Sequence, residues 1–340
     1  MPLKILSIDG GGIIGIVPAK ILTYLEEEIR KNKPDYHLVD SFDLIAGTST
    51  GGIIAIGLLI PGENGNPKFL ADKLLSLYVE KGKMIFDHGF VKKISNPAGL
   101  FDEIYSAHNI ERLFEEYFSD VKLSEFLKPC LITTYNIFDR CAAFFNTVDV
   151  KKGGEYHNYY ARDMARSTSA APTYFEPADV KAIGGETRYP FVDGGVFANN
   201  PAMCALVEVS KLMAKKSANY IFDLREITLI SIGTGVNTQN KKSYTYEETK
   251  DWGKLSWASP IIDIMMSASA ETIDYQLRQL FSNTGNAPNY IRLQPELKRS
   301  SPNMDDTHPD NIQALQEDAD AFIAKNTDLL RSVIQKILEE

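Results

Sequence analysis

Twice within its first sixty residues, the chain runs from a short apolar segment through a glycine-rich turn into an apolar stripe at helical spacing. The first unit joins Leu3–Ile8 to the turn Asp9–Gly15, and the second joins Phe42–Ala46 to the turn Gly47–Gly52. When strand, tight turn and helix repeat in this order, successive strands tend to lie in parallel in one sheet that the helices cover. The pattern therefore predicts an α/β fold in which at least some strands are parallel.

Composition and charge narrow the possible classes of function. The 340 residues are 44% hydrophobic, which is enough to bury the core of one large domain or two modest ones. With 36 basic against 45 acidic residues the net charge is −9, and no local basic patch offsets it. Phosphate backbones repel such a chain, so we expect no nucleic-acid partner and no attachment to anionic membranes by charge alone.

Targeting and redox signals are sparse. Met1–Lys4 leads directly into a strand without the order of a signal peptide, and the longest apolar run, Ile53–Ile60, is far shorter than the roughly 20 residues of a membrane-spanning helix. Three cysteines without tight spacing, Cys130, Cys141 and Cys204, indicate no disulfide framework. We therefore expect no transmembrane segment and a cytoplasmic protein; the alternative is export by a route independent of a signal peptide.

The second turn, Gly47–Gly51, has the form G-x-S-x-G between a strand and a helix. In this arrangement the glycines let the backbone bend sharply, and Ser49 projects its hydroxyl clear of the sheet. Ser49 also lies at a helix N-terminus, where the helix dipole favours developing negative charge, and the N–H of Thr50 faces the same place. Five-residue matches arise by chance, so a plain turn with a capping serine fits this segment alone equally well.

The first turn allows two functional interpretations. The consecutive amides of Gly10, Gly11 and Gly12, which no side chain shields, are suited to hold the oxyanion of a tetrahedral intermediate. The same glycines with Gly15 also satisfy the G-x-G-x-x-G pattern of dinucleotide-binding proteins. That pattern requires an acidic residue at the end of a second strand about 20 residues later, whereas the next strand here starts only near Phe42. The serine turn downstream favours the oxyanion interpretation over a nucleotide site or a plain glycine turn.

A serine nucleophile usually needs a base within hydrogen-bond reach. No histidine lies in a glycine-marked loop at a strand end; the five are His37, His88, His108, His157 and His308. His308 follows both serine and acid in the order of an α/β-hydrolase triad, but its surroundings are typical of an exposed helix start. Asp193 follows a strand and precedes two glycines, and a carboxylate placed against the serine hydroxyl can itself act as base. We therefore predict Asp193 as the base; the alternative is an Asp that only caps its turn.

Three boxes in order give the chain a resemblance to a known family. Asp9–Gly15 resembles the glycine box, Gly47–Gly52 the nucleophile elbow and Asp193–Gly195 the dyad box of the patatin-like phospholipases, which are serine lipid acyl hydrolases with a Ser–Asp dyad. The similarity extends over roughly residues 3–300. It includes three flanking segments, Ser167–Phe175, Ala198–Pro201 and Ser231–Gly235.

The resemblance implies a three-layer α/β/α sandwich with a largely parallel central sheet. It also implies Ser49 as nucleophile and Asp193 as its base and later general acid, with the amides of Gly10, Gly11 and Gly12 as the oxyanion hole. No metal or cofactor is implied, and the sequence shows no cluster of metal ligands. The residues expected to shape the turns around the site are Asp9, Gly15, Gly47, Gly51 and Gly194.

One position of the glycine box departs from the family pattern. Where the family usually has Arg or Lys, this chain has Ile14. The loop keeps its amides but has no positive charge at that position. We expect this difference to affect the turnover rate and the headgroup preference rather than the class of reaction.

The predicted function is that of a serine esterase of phospholipase A type, acting through an acyl-enzyme intermediate. Cleavage of a phospholipid sn-1 or sn-2 ester, lysophospholipase action and galactolipid hydrolysis all fit, so the expected partner is a lipid or membrane-interface substrate. An activator is not identified by the sequence. The alternative is a weakly active or non-catalytic lipid-binding or storage protein on the same scaffold, for which Ile14 gives a reason.

Two segments are candidates for contact with lipid. Met84–Phe101 mixes apolar residues with Gly and Pro, which is compatible with a mobile lid or, more simply, with a packed loop. Trp252–Met266 carries apolar residues at helical spacing, a pattern more typical of a core. We assign residues 1–300 to the catalytic domain and residues 301–340 to C-terminal helices packed on the same domain.

Overall fold

The computed structural model describes residues 2–86, 105–216, 221–238, 243–253, 256–257 and 260–339. The strands are β1 Leu3–Ile8, β2 Leu44–Gly47, β3 Cys130–Asn136, β4 Cys141–Asn146, β5 Ala178–Val180, β6 Tyr189–Asp193, β7 Ile227–Ile232, β8 Val236–Asn237, β9 Tyr290–Leu293 and β10 Glu296–Leu297. The helices are α1 Ile16–Arg30, α2 Thr50–Leu59, α3 Ala71–Ile85, α4 Ala107–Phe118, α5 Thr147–Gly153, α6 Ala161–Thr168, α7 Gly195–Ala198, α8 Ala202–Lys216, α9 Tyr246–Thr249, α10 Pro260–Asn283, α11 Pro309–Lys325 and α12 Thr327–Leu338.

The central sheet is mixed and mostly parallel around its middle strand. Strand β1 pairs in parallel with β2 and β7, and the parallel arrangement continues to β3 on one side and β9 on the other. Beyond β3 the sheet turns antiparallel, because β4 and β6 run against β3, and β5 runs against β6. The strand order is β5-β6-β3-β2-β1-β7-β9, with β4 beside β3, and β8 and β10 form a separate pair.

Each face of the sheet carries its own core, because successive side chains of a strand point to opposite faces. Leu6 and Ile8 of β1 pack on the side of α1, α2 and α3. Leu3 and Ile5 of the same strand pack on the side of α8 and α10. Helices thus cover both faces, which confirms the predicted three-layer α/β/α sandwich with its largely parallel sheet.

The C-terminal helices share the larger of the two cores. Leu315 of α11 and Leu330 of α12 are fully buried in the same cluster as the apolar stripe of α1. Lys4 of β1 donates from its Nζ to the carbonyl oxygen of Ile337 at 2.8 Å. Among the helices that the structure describes, none is long and apolar enough to cross a membrane.

The topology gathers several turns at one edge of the sheet. Strands β1, β2, β7 and β9 are parallel, so their carboxyl ends lie at the same edge, with the turns that begin at Asp9, Thr48 and Gly233. In open α/β sheets this edge is where ligands bind. Both glycine turns singled out in the sequence therefore lie side by side there.

Candidate active site

Ser49 sits at the tip of the turn between β2 and α2, in a backbone conformation that non-glycine residues rarely adopt. Its φ is 54° and its ψ is −123°. Such a conformation costs on the order of 1–3 kcal/mol and persists only where the surroundings impose it. The Ser49 N–H donates to Thr168 Oγ1 at 2.9 Å, and the Ser49 carbonyl accepts from the N–H of Ile53 at 3.0 Å. These bonds hold the strained serine between α6 and the first turn of α2.

The glycines of the serine turn allow α2 to approach the ends of β1 and β2 closely. Gly47 ends β2, and a Cβ atom at Gly51 would lie 2.2 Å from the carbonyl oxygen of Ile8. Any side chain at Gly51 would therefore push α2 away from the end of β1. The predicted reason for these glycines was the bend of the turn, and the structure adds their contact with the neighbouring strand.

Strand register brings Asp193 to the level of Ser49. Gly47 pairs with Ile132 of β3, and Asp193 pairs with Thr134, two residues further along β3. Ser49 likewise lies two residues beyond Gly47, so the serine and the carboxylate meet just past the end of β2. Both are buried, with 7% and 2% of their surface exposed.

The two oxygens of Asp193 have different surroundings. Oδ1 accepts the N–H of Gly195 at 2.7 Å, whereas Oδ2 makes no hydrogen bond to any residue that the structure describes. Burial raises the pKa of Asp193 from 3.8 to about 7, although the nearby Ser49 hydroxyl and the Gly195 N–H both lower it. A carboxyl group with a pKa near neutrality can accept a proton and return it within one cycle.

Threonine hydroxyls connect the serine turn to the segment that carries Asp193. Thr48 Oγ1 donates to the carbonyl oxygen of Ala198 at 2.7 Å and lies 2.7 Å from Thr133 Oγ1. Thr134 Oγ1 donates to the carbonyl oxygen of Val192 at 2.8 Å. The residue before Ser49 is thus fixed to β3 and to α7, the short helix that begins just after Gly194. Sequence reasoning did not identify these threonines.

The glycine loop after β1 lies directly beside the serine. A Cβ atom on Gly10 would stand 3.0 Å from the Cβ of Ser49. The N–H of Gly10 already donates to the carbonyl oxygen of Asn199 at 3.1 Å, so a donor role for Gly10 would require that this bond be given up. The N–H groups of Gly11 and Gly12 have no acceptor within the described part of the chain, which leaves these two as the available donors.

Gly12 shows why this loop needs glycine. Its φ is +57°, and a Cβ there would lie 2.2 Å from the carbonyl oxygen of Met304. That same carbonyl accepts the N–H of Ile13 at 2.8 Å. The segment around Met304 therefore closes over the loop from outside. Ile14 is buried in the larger core, with 8% of its surface exposed.

Thr50 offers a further backbone donor. Its N–H belongs to the first turn of α2, where amides have no partner within the helix. The Thr50 carbonyl accepts the hydroxyl of Tyr78 at 3.0 Å, and the Thr50 side chain packs against Gly15 at the start of α1. The predicted donors Gly11, Gly12 and Thr50 thus belong to two neighbouring turns, of which the first approaches Ser49 at Gly10.

Arg292 is the main feature of the site that sequence reasoning missed. Its Nη1 donates to Asp9 Oδ1 at 2.9 Å and to Ser231 Oγ at 2.7 Å, and its Nη2 donates to Asp9 Oδ2 at 2.5 Å. Both charged side chains are almost fully buried. Burial raises the pKa of Asp9, and the Arg292 guanidinium opposes that rise. The only sequence signal was an arginine inside the short apolar strand β9.

None of the histidines that the structure describes contacts Ser49 or Asp193, and His88 lies outside the described residues. His308 begins α11, where its exposed ring accepts the N–H of Asp310 at 3.4 Å through Nδ1, as expected of a helix start. Within the described ranges, no group of three or more His, Cys, Asp or Glu residues is placed to hold a metal ion. Asp193 is the titratable side chain beside Ser49.

Comparisons with known proteins identify the family of the chain. The family model described as patatin-like phospholipase matches residues 6–206. "Patatin-like protein 2" of Oryza sativa subsp. indica is 36% identical over 351 residues, covering 95% of this chain and 84% of that protein. The protein of the same name from Arabidopsis thaliana is 34% identical over 347 residues, with 95% and 83% covered. "Probable inactive patatin-3-Kuras 1" of Solanum tuberosum is 32% identical over 339 residues, with 95% and 87% covered.

Fold and site define an α/β protein with a serine at a strained strand-to-helix elbow beside a buried carboxylate. Over most of its length, the chain belongs to the patatin-like phospholipase family. Membership supports lipid acyl hydrolase activity in general. The resemblance inferred from the three boxes is thereby confirmed.

Proposed function

We propose that the protein is a carboxylic ester hydrolase of phospholipase A type that works through Ser49 and Asp193. The observation that carries the proposal is the pairing of a strained, buried serine with a carboxyl group whose pKa is raised to about 7. Strain at Ser49 fixes the direction of its hydroxyl, and the raised pKa suits Asp193 to proton transfer.

In the proposed first step, Ser49 Oγ bonds to the ester carbonyl carbon while its proton passes to Asp193 Oδ2. The carbonyl oxygen becomes an oxyanion, which the N–H groups of Gly11, Gly12 and Thr50 stabilise by hydrogen bonds. When the intermediate collapses, the bond to the alcohol breaks and Asp193 returns the proton to the leaving oxygen. The product alcohol is a lysophospholipid or its equivalent, and the acyl chain stays on Ser49.

In the second step, water replaces the alcohol. Asp193 accepts a proton from the water, and the resulting hydroxide attacks the acyl carbon. The bond to Ser49 Oγ then breaks, the proton returns to that oxygen, and the fatty acid leaves. Each proton that Asp193 accepts is returned within the same half-reaction, so the cycle needs no histidine and no metal.

The test is active-site labelling with a fluorophosphonate, combined with hydrolysis of p-nitrophenyl esters of increasing chain length. The wild type should be labelled, and Ser49→Ala and Asp193→Asn should lose both labelling and turnover. Ser76→Ala, at a partly exposed serine of α3, and His308→Ala are the control variants and should behave as the wild type. Equal losses in His308→Ala and Ser49→Ala would contradict the dyad.

A second candidate is a weakly active or non-catalytic lipid-binding protein. It is favoured by one relative whose name describes it as probably inactive and by the buried, uncharged Ile14 in the glycine box. Lack of labelling in the wild type, with or without lipid, combined with retention of fatty acid or phospholipid, would replace the hydrolase with this candidate. The phospholipase A assignment itself is tested by comparing the rates of fatty-acid release from phosphatidylcholine and from lysophosphatidylcholine.

A further inference from the structure

An apolar surface lies on the solvent side of α10 and the residues just before it. Trp257, Ile261, Ile264 and Met265 expose 39%, 39%, 39% and 46% of their surface. Ile261, Ile264 and Met265 are three and four residues apart, which places them on one side of α10. Trp257 belongs to the described pair of residues 256–257 that precedes this helix. We call these four residues the α10 apolar face. Large exposed apolar side chains gathered in one place mark a surface that contacts something other than water.

The helix that carries the α10 apolar face also contacts the turn of Asp193, the proposed base. Met266, the next residue of α10, points inward and is buried. Its Cε lies 3.0 Å from where a Cβ atom on Gly195 would be, and that position is 3.1 Å from Asp193 Oδ1. The inner side of α10 therefore packs against the turn that carries Asp193, and the α10 apolar face is the solvent side of the same helix.

The charges beside this face are acidic. Asp263 lies on the same helix, between Ile261 and Ile264, and its pKa is raised by burial and by the nearby Asp305. Asp305 in turn accepts the hydroxyl of Tyr105 at 2.8 Å. The four residues of the face are themselves uncharged. An anionic surface would be repelled by the two carboxylates, whereas a zwitterionic one would not.

We propose that the α10 apolar face inserts into a zwitterionic phospholipid surface and thereby places the entrance of the site against its substrate. The proposal rests on the proposed function, because the position of the face beside Asp193 is what makes a lipid surface its partner. Apolar contact replaces the electrostatic attachment that the net charge of −9 disfavours. The face thus also sets a preference for uncharged headgroup surfaces over anionic ones.

The experiment compares the wild type with the double variant Ile264→Ser/Met265→Ser. Phosphatidylcholine vesicles are used for co-sedimentation and for fatty-acid release, and p-nitrophenyl butyrate reports the soluble reaction. We expect the double variant to bind vesicles at least tenfold more weakly and to lose vesicle hydrolysis in proportion, with the soluble reaction unchanged. Leu329→Ser, an equally exposed apolar residue on α12, is the matched control and should leave all three unchanged.

A spectroscopic readout locates the contact. The chain has two tryptophans, so Trp257→Phe leaves Trp252 as the sole indole. A blue shift of emission on vesicle addition should appear in the wild type and be strongly reduced in Trp257→Phe. Addition of phosphatidylglycerol to the vesicles should weaken binding, and Asp263→Asn should reduce that effect.

Several outcomes would overturn the proposal. One is unchanged vesicle binding in the double variant, and another is stronger binding to anionic vesicles than to phosphatidylcholine. A wild-type dimer that the double variant dissociates would assign the face to a second copy of the chain instead. Failure of the proposed function is distinguishable, since the wild type would then bind vesicles through this face without cleaving either ester.

Discussion

The two glycine turns that follow β1 and β2 lie side by side, but they are held in place by different parts of the chain. The serine turn is fixed by residues that precede Asn199 in the chain: Gly51 packs against the end of β1, Thr168 accepts the N–H of Ser49, and Ala198 accepts the hydroxyl of Thr48. The loop after β1 is fixed by Asn199 and by later residues. Asn199 holds Gly10, Arg292 holds Asp9, and Met304 closes on Gly12.

This difference separates two requirements of the proposed reaction. The position of the nucleophile depends on strain in one turn and on contacts with residues before Asn199, whereas the position of the oxyanion donors depends on Asn199 and later residues. We therefore expect changes at the serine turn to remove the reaction outright. Changes at the anchors of the glycine loop should instead slow it while the nucleophile stays in place.

The largest effect is expected at Ser49, where two variants should lose activity equally but differ in stability. Ser49→Ala and Ser49→Gly should both lower kcat by about 10⁴-fold or more, since the nucleophile is gone. Because φ is 54°, glycine relieves strain that alanine keeps, so Ser49→Gly should be more stable than Ser49→Ala by about 1 kcal/mol. Urea unfolding of both variants checks this. If Ser49→Gly and Ser49→Ala were equally stable, the backbone at Ser49 would not be strained.

The second effect concerns pH and Asp193. The base must be ionised, so kcat/KM should fall about tenfold per pH unit below the pKa of about 7 and level off above it. The folded-state pKa is raised above the ordinary 3.8, so the stabilising contribution of the protonated group is lost as pH rises from about 4 to about 7. At pH 8 the free energy of unfolding of Asp193→Asn should therefore exceed that of the wild type by roughly 1–3 kcal/mol, as measured by urea unfolding. A wild-type profile that stays flat down to pH 5 would contradict the assignment of Asp193 as base.

The third effect tests the distant anchor. Arg292→Met leaves Asp9 buried without its partner and should cost about 3–5 kcal/mol of stability. We expect kcat to fall about 10²-fold with KM little changed, because the loop amides are misplaced. Adding Asp9→Leu should recover much of the stability but not the rate. Arg166→Met, which breaks the ion pair between the buried Arg166 guanidinium and Glu111, is the control and should leave kcat unchanged when the protein is folded.

The smallest effect is expected from Gly12→Ala. The added Cβ would lie 2.2 Å from the Met304 carbonyl, at a φ of +57°. A loss of roughly 1–3 kcal/mol in stability and about tenfold in kcat should follow, since the loop must shift outward. Thermal unfolding and ester kinetics measure both. If Gly12→Ala were as inactive as Ser49→Ala, the glycine loop would be as essential to the reaction as the serine turn, and the proposed difference between them would be wrong.

The same difference explains which parts of the site were predictable from sequence. The serine elbow, the acid that ends β6 and the order of strands and helices follow from local patterns, and the fold prediction was confirmed. Arg292 and Met304 come to the loop only through β9 and the segment before α11, and no local pattern indicates such a contact. The occupied amide of Gly10 likewise depends on Asn199, nearly two hundred residues away.

The lid prediction can be assessed only in part. Phe86 packs against the rings of Tyr105 and Phe175, at centroid distances of 5.5 and 5.9 Å, as expected for a packed residue. Phe90 and the rest of the predicted segment lie outside the described residues. In contrast, the apolar residues around Ile261 were predicted to be core by their spacing, yet one side of that helix faces solvent. Helical periodicity shows which residues share a face and not what covers that face.

The Asp9–Arg292 pair spans 283 positions of the chain, and a ribosome adds those positions in order. Ser49 and Asp193 are therefore synthesised well before the residues that anchor the glycine loop. We expect ribosome-bound chains that end before Arg292 to resist fluorophosphonate, and chains that extend beyond Met304 to react. Because the glycine loop depends on residues that are synthesised last, an incomplete chain would stay inactive towards the membranes of the cell that is translating it.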